Sequence, residues 1–258
     1  MPVPFACANL YNMPSIDLNC DMGEGMDNDH LIMPHISSAN IACAYHAGDL
    51  DTINNTIKLA VQNGVAVGAH PGFADKQNFG RTPMHLPDAE IYLLVSEQVR
   101  LLNEQCLAAG IQLHHVKPHG ALYNMAAVHP AMAAAIAQAI FDVDQQLIMY
   151  GLSGSELVRA ARRKGLPAAA EVFADRTYQP DGNLTPRWQP NALIGKVSDA
   201  IAQVMQMVKE GKVTSTTATT IPLSVQTLCL HGDGNNAVEF ATAIHHHLTT
   251  HHIAIKAC

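Results

Sequence analysis

The sequence predicts an α/β protein with parallel strands, on two observations. Short apolar runs alternate with longer segments of helical periodicity, and almost every run ends in a polar or ionisable cluster. Strand then helix, repeated, requires crossover connections that carry the chain back to the same end of the sheet, so adjacent strands are parallel. The runs are apolar along their length, as in a sheet covered on both faces.

Seven runs read as strands. They are SIDLNCDMGE (15–24), SANIACAYHAG (38–48), GVAVGAHPG (64–72), LHHVKPHGALY (113–123), QLIMYGLSG (146–154), AAAEVFADR (168–176) and SVQTLCLHGDG (224–234). Helical patterns fall between or after them. In DLDTINNTIKLAVQNG, Ile53, Ile57, Ala60 and Val61 share a face, with Asp49 and Asp51 near the start and Gly64 at the stop. PDAEIYLLVSEQVRLLNEQCLAAG opens on Pro87 and closes on Gly110; HPAMAAAIAQAIFDVD, GSELVRAARRKG, KVSDAIAQVMQMVKEG and NAVEFATAIHHHL complete the set. Two long irregular connections, 72–87 and 176–195, stand out, because loops of that length in a compact domain are often functional. Residues 212–224 read as a polar loop or a surface hairpin.

The 258 residues, 48% hydrophobic and 14% charged, suit one α/β barrel, one large sandwich or two small domains, and no convincing domain boundary interrupts them. The fold is expected to begin at Ile16, making residues 16–258 one domain after a loose extension over 1–15. That extension has no charged side chain and is broken by prolines, unlike a secretory signal. No window is apolar over the ~20 residues needed to span a bilayer. With a net charge of −7 and no basic block, nucleic acid is excluded as a partner. The expected location is the cytoplasm, with the six cysteines (Cys7, Cys20, Cys43, Cys106, Cys229, Cys258) reduced.

The polar clusters carry the functional signal. The first strand ends in Asn19, Asp21 and Glu24, the second in His46 and Asp49, and the third in His70. The fourth ends in Lys117, His119 and Asn124, the sixth in Glu171, Asp175 and Arg176, and the seventh in His231 and Asp233. In a parallel barrel or open α/β sheet these ends gather at one mouth, where such folds place their sites. Two chemistries fit: proton transfer by carboxylates and imidazoles with shifted pKa values, and binding of a divalent metal by Asp21, His46, His70, His119 and His231. His114 and His115 sit at the opposite end of their strand and read as structural. The tract His245 to His252 reads as a solvated helix face. Neither glycine-rich nucleotide signature is present.

The segments IDLNCDMGEG, MPHISSANIACAYHAGD, GVAVGAHPGF, FGRT, HVKPHGALYN, EVFADRTYQPDGNLTPR and CLHGDGNNAVEFA together resemble the LamB/YcsF family, in the family's order from Ile16 to about Ala241. The resemblance implies a seven-stranded parallel β/α barrel, TIM-barrel-like and related to glycoside hydrolases and polysaccharide deacetylases. It also implies the A component of an ATP-dependent 5-oxoprolinase, which converts 5-oxo-L-proline, ATP and two waters to L-glutamate, ADP and phosphate with partner subunits B and C. One departure lies near the mouth, where Ala44-Tyr45 replaces the family's usual Gly-Phe before His46.

An unactivated lactam is a poor electrophile, and the missing nucleotide motif places ATP and the phosphorylation on the partners. This chain is then expected to open the ring of the activated lactam. Asp21, His46 or His70 serves as base or metal ligand, Lys117 and Arg176 stabilise negative charge, and Asp175, His119 and His231 complete the catalytic set. Asn19, Glu24, Tyr45, Arg81, Asn124 and Asp233 are the expected substrate contacts. By analogy with deacetylase barrels, a metal would sit on Asp21, His46 and His70. Replacing Asp21 or Lys117 with alanine is expected to abolish activity and leave folding intact. Two other classes stay open: a stand-alone metal-dependent amide, N-acetyl or carbohydrate hydrolase, and a non-catalytic subunit.

Overall fold

Seven parallel strands close on themselves in the computed structural model, which describes residues 14–234 and 236–258. Residues 1–13, most of the expected extension and including Cys7, lie outside the described residues. The strands are β1 (Ser15–Met22), β2 (Ser38–Ala42), β3 (Ala66–His70), β4 (His115–Val116), β5 (Ile148–Leu152), β6 (Ala168–Phe173) and, after the hairpin strands β7 (Lys212–Thr214) and β8 (Thr220–Pro222), β9 (Thr227–His231). Closure is made by β9, which pairs with β6 through Glu171–Thr227 and with β1 through Asp17–Thr227 to Asp21–His231. A short β10 (Ala254–Ile255) pairs with Ser15 and Ile16, extending the sheet at the end of β1 away from the mouth.

The crossovers are α1 (Asp29–Ile32), α2 (Leu50–Asn63), α3 (Asp88–Ala108), α4 (Gly120–Val128), α5 (Pro130–Val143), α6 (Glu156–Lys164), α7 (Val197–Glu210) and α8 (Ala237–Thr250). Local chemistry sets their ends. Asp49 caps α2, its Oδ1 accepting from the Thr52 amide at 2.8 Å, and Gly64 stops the helix in the left-handed region. Arg162, Arg163 and Lys164 occupy the last turn of α6, where cations complement the helix dipole. Ile53, Ile57 and Ala60 of α2 are buried as expected, but Val61 is 48% exposed and lies off that face.

Along the chain, residues 212–224 form the antiparallel β7–β8 hairpin rather than a loop. The fourth strand is much shorter than expected: Pro118 supplies no backbone donor, and α4 begins at Gly120. That helix escaped the periodicity test because GALYNMAAV is apolar on nearly all sides and carries no side-chain N-cap. Among the described residues, no single helix is long and apolar enough to cross a membrane.

The barrel interior is polar, against the continuous apolar runs of the sequence. Along β1, Leu18, Cys20 and Met22 join the hydrophobic core, while Asp17, Asn19 and Asp21 alternate with them and form hydrogen-bonded layers. Asp17 accepts from Ser37 Oγ and Ser38 Oγ at 2.7 Å each and from Thr227 Oγ1 at 2.5 Å. Asn19 donates to Glu171 Oε1 at 3.0 Å and Thr227 Oγ1 at 2.6 Å. Buried polar groups are tolerable because they find partners, and those partners come from strands far apart in sequence.

Candidate active site

Lys117 stands where β4 ends and is buried at the barrel mouth. Its Nζ lies 2.9 Å from Asp21 Oδ1 and 2.9 Å from Glu171 Oε1, and it donates to Asn19 Oδ1 at 3.2 Å and to Cys229 Sγ at 3.0 Å. Burial works against its charge, but Asp21, Cys229 and Glu171 override it and hold its pKa well above the usual lysine value. Burial likewise opposes ionisation of Asp21, yet His70 and Lys117 hold that carboxyl well below its usual range. Tyr123 donates to the other Glu171 oxygen at 2.6 Å, and Asn40 donates to Asn19 Oδ1 at 2.7 Å and Asp21 Oδ1 at 2.8 Å.

Beside this network, Glu24, His46, His70 and His119 converge, one ligand atom from each lying within 4.8 Å of the others. The left-handed Gly23 turns the chain after β1 and brings Glu24 Oε1 to 3.3 Å from His46 Nε2, 3.2 Å from His119 Nδ1 and 3.9 Å from His70 Nε2. His46 and His119 stack at 3.8 Å, a packing that requires Gly72: a Cβ there would lie 2.7 Å from His46 Nδ1.

The donor set fits a divalent cation. His70 Nδ1 is bonded to the Lys117 carbonyl at 2.7 Å and His119 Nε2 to the Phe79 carbonyl at 2.8 Å. A carbonyl only accepts, so both of those nitrogens carry the proton, and in the neutral rings His70 Nε2 and His119 Nδ1 are left as lone pairs. Burial and then His70 push His46 down to about 3, and burial and then His46 hold His119 well below the usual range. Neutral imidazole is the metal-binding form, and the Glu24–His46 contact is therefore not an ion pair. His46 Nδ1 is buried without a partner. Burial, then Asp21 and Asp233, push the Glu24 carboxyl well above its usual value, so its charged form wants a cation nearby. Three imidazoles and a carboxylate match zinc and similar borderline ions.

A cavity of about 430 Å³ opens over both groups and is lined by Asp21, His70, Lys117, His119, Arg176 and His231 among others. His231 Nδ1 sits 2.9 Å from both oxygens of Asp175, whose Oδ2 also accepts the His231 amide at 3.0 Å. Burial resists ionisation of Asp175, but His231 more than offsets it and its pKa falls below the usual value.

The expected residues divide as follows. Asp21, His70, Lys117, His119, Arg176, His231, Arg81 and Asn124 all line the cavity. Asn19 lies beneath it, bonded to Lys117. Arg176 is spent on backbone, donating to the Thr185 carbonyl at 2.6 Å and the Ala192 carbonyl at 3.4 Å. Arg81 pairs with Asp233. Tyr45 turns away, its hydroxyl donating to Glu97 at 3.1 Å, and it does not line the cavity. Of the expected metal trio, His46 and His70 fall in one candidate group with Glu24 and His119, while Asp21, its Oδ1 on Lys117 and its Oδ2 3.3 Å from His70 Nε2, falls in a second with Cys229 and His231. Sequence reasoning put Glu171 in the polar cluster ending the sixth run but gave it no role, and left Asn40, Tyr123 and Cys229 out of the site. The usable signal for Asn40 was a lone polar residue inside an apolar strand rather than at its end.

His115 is structural, though fully buried. Its Nε2 lies 2.8 Å from Asn40 Oδ1 and its ring stacks on Tyr150 at 4.2 Å.

The LamB/YcsF family model matches residues 16–258. A curated relative from Brevibacillus brevis, named as the A subunit of 5-oxoprolinase, is 50% identical over 250 residues, covering 95% of this chain and 98% of its own. Another of that name from Bordetella parapertussis is 51% identical over 249 residues, covering 95% and 99%. The crystal structure of a lactam utilization protein from Thermus thermophilus superposes with a TM-score of 0.89 at 38% identity, covering 95% of this chain and all of that one. A putative cellobiose-phosphate cleavage protein from Enterococcus faecalis, 12% identical with a TM-score of 0.54 over 95% of this chain and 97% of that one, shares the fold alone. With the family model spanning the whole barrel and half of all aligned residues identical to curated members, the chain belongs to the LamB/YcsF family.

Proposed function

We propose that this chain is the ring-opening A component of a cytoplasmic, ATP-dependent 5-oxoprolinase, acting on 5-oxo-L-proline after partner subunits B and C have used ATP to phosphorylate the lactam oxygen. The observation that carries the reading is the convergence of Lys117, Asp21, His70 and His231, the last held from behind by Asp175, on one cavity, in a chain whose relatives are named for this activity.

Phosphorylation turns the lactam into an imidate-like carbon that water can attack. The water oxygen bonds to that carbon and its proton goes to a base. The carbon–nitrogen bond then breaks, and the nitrogen leaves as an amine after taking a proton, giving glutamyl phosphate. A second water releases phosphate and L-glutamate, which accounts for two waters overall.

His231 is the better base. Its Nδ1 donates to Asp175, leaving Nε2 as the proton acceptor, an arrangement that orients an imidazole for transfer in both directions. Asp21 is a poor base, because its pKa is held so low, and acts as the counter-charge to Lys117. Lys117 stays an ammonium and stabilises the oxygen charge that develops during attack. Glu24, His46, His70 and His119 would hold a divalent ion, which supplies Lewis-acid polarisation when bound.

Glutamate formation from 5-oxo-L-proline and ATP, measured with and without subunits B and C and with and without chelator, tests the reading. Activity should require all three subunits, and His231→Ala should lower kcat by about 10²-fold or more. Hydrolysis of an N-acetyl substrate by the chain alone, without ATP, would instead make it a stand-alone metal-dependent hydrolase.

A further inference from the structure

The charge of the cavity is opposite to that of the chain. The chain carries 15 Lys and Arg against 22 Asp and Glu, yet Arg81, Lys117, Arg176 and Arg187 line the cavity with one carboxylate, Asp21. Three of the four cations are engaged within the protein. Lys117 faces Asp21 and Glu171, Arg81 pairs with Asp233, and Arg176 is bound to two backbone carbonyls. Arg187 makes no ion pair or side-chain hydrogen bond among the described residues, and it lines both this cavity and the smaller one beside it. Its charge is felt across the mouth: after burial it is the next influence depressing the basicity of Arg176, and behind Arg81 and His231 it helps lower the pKa of Asp233 against burial.

We propose that Arg187 binds the α-carboxylate of the substrate and so selects 5-oxoproline over lactams that lack the carboxylate. The inference rests on the ring-opening reading above. A half-buried guanidinium without a partner is a ready fork for a carboxylate, able to donate two parallel hydrogen bonds. The α-carboxylate is the suitable anion because it persists in the lactam, the phosphorylated lactam and glutamate. The phosphoryl group is bonded through oxygen to the reacting carbon and belongs with Lys117 in the depth of the site. Arg187 lies on the long 176–195 connection next to Trp188, which is 82% exposed, and so holds the outer end of the ligand. Arg81, one of the expected substrate contacts, already has a carboxylate partner in Asp233.

The test is binding of 5-oxo-L-proline and of 2-pyrrolidinone, the same ring without its carboxylate, to the full chain and to its Arg187→Ala and Arg187→Lys variants. The wild type should bind 5-oxo-L-proline more tightly. Arg187→Ala should lose about tenfold to a hundredfold of that affinity, the loss expected for a hydrogen bond to a charged group, and leave 2-pyrrolidinone binding unchanged. Arg187→Lys should recover part of it. In the complex reconstituted with its partners, the Ala variant should raise KM with little change in kcat. A wild type that does not distinguish the two rings overturns the proposal, as does a variant that weakens both alike or neither. Loss of inorganic phosphate binding with 5-oxo-L-proline binding intact would assign Arg187 to the phosphoryl group and also overturn it. Failure of the ring-opening reading shows separately, as wild-type discrimination between the rings without glutamate formation in the complex.

Discussion

His70 and His119 face each other through Nε2 and Nδ1 at 2.8 Å, and the opposite nitrogen of each ring is held by a backbone carbonyl. With both rings neutral, two lone pairs face each other at that distance and repel unless a proton or a metal cation lies between or beside them, and Glu24 Oε1 completes the pocket at 3.2 Å from His119 Nδ1. We predict that the purified chain binds zinc or a similar divalent ion. Saturating metal should raise the unfolding free energy, by about 2.7 kcal/mol at a hundredfold excess over Kd. Chelator should reverse the gain. His119→Ala should weaken binding by more than the roughly 10–100-fold that loss of an outer partner of a metal ligand costs. Calorimetric titration and thermal unfolding with added metal check both; an unchanged affinity in the variant would remove His119 from the site.

Lys117 is held on two sides by carboxylates, so its loss does more than remove a charge from the mouth. The simple expectation of an inactive but fully stable variant does not survive the contacts at Asp21 and Glu171, both 2.9 Å away and both buried. Removing one member of a buried ion pair leaves an uncompensated charge and costs about 3–5 kcal/mol. Lys117→Met should therefore abolish activity and lower stability by that order in denaturant unfolding. Adding Asp21→Asn and Glu171→Gln should recover much of the stability without restoring activity.

The sequence made the mouth of the barrel legible because each functional side chain there follows a short run of small or β-branched apolar residues. Lys117, His70 and His231 could be placed from that rule alone. The interior could not, since Asn19, Asn40, Glu171 and Thr227 meet only after β9 has closed the barrel against β1 and β6. The division of Asp21 and Glu24 between two candidate metal groups was equally hidden. It depends on the turn at Gly23, which aims two acids three residues apart at different partners. Arg176 and Arg187 are the same residue type on the same connection, and only the carbonyls around the first distinguish them.

Gly68 illustrates how tightly the interior layer is built. A Cβ added at Gly68 would collide with the His115 ring, the side chain that bonds Asn40 and stacks on Tyr150. Gly68→Ala should destabilise the fold by about 1–3 kcal/mol, the usual cost of overpacking. Because the clash is with one ring, Gly68→Ala combined with His115→Ala should cost less than the sum of the two single changes. Strict additivity in thermal unfolding would mean that the clash is relieved elsewhere.

Arg176 ties the 176–195 connection to the barrel rather than waiting for a ligand. Its Nη2 reaches the Thr185 carbonyl at 2.6 Å and its Nε the Ala192 carbonyl at 3.4 Å, while Gln203 Nε2 donates to the Arg176 carbonyl at 2.9 Å. Burial, reinforced by Arg187, holds its pKa down to about 10, which still leaves it charged at neutral pH. Arg176→Ala should free the two carbonyls, with hydrogen exchange rising over residues 177–195 and unchanged in β1 and β2. Since Arg187 rides on this connection, affinity for 5-oxo-L-proline should fall in the same variant. Hydrogen exchange that is unaltered over 177–195, with activity lost, would show instead that the Arg176 guanidinium acts on the substrate directly.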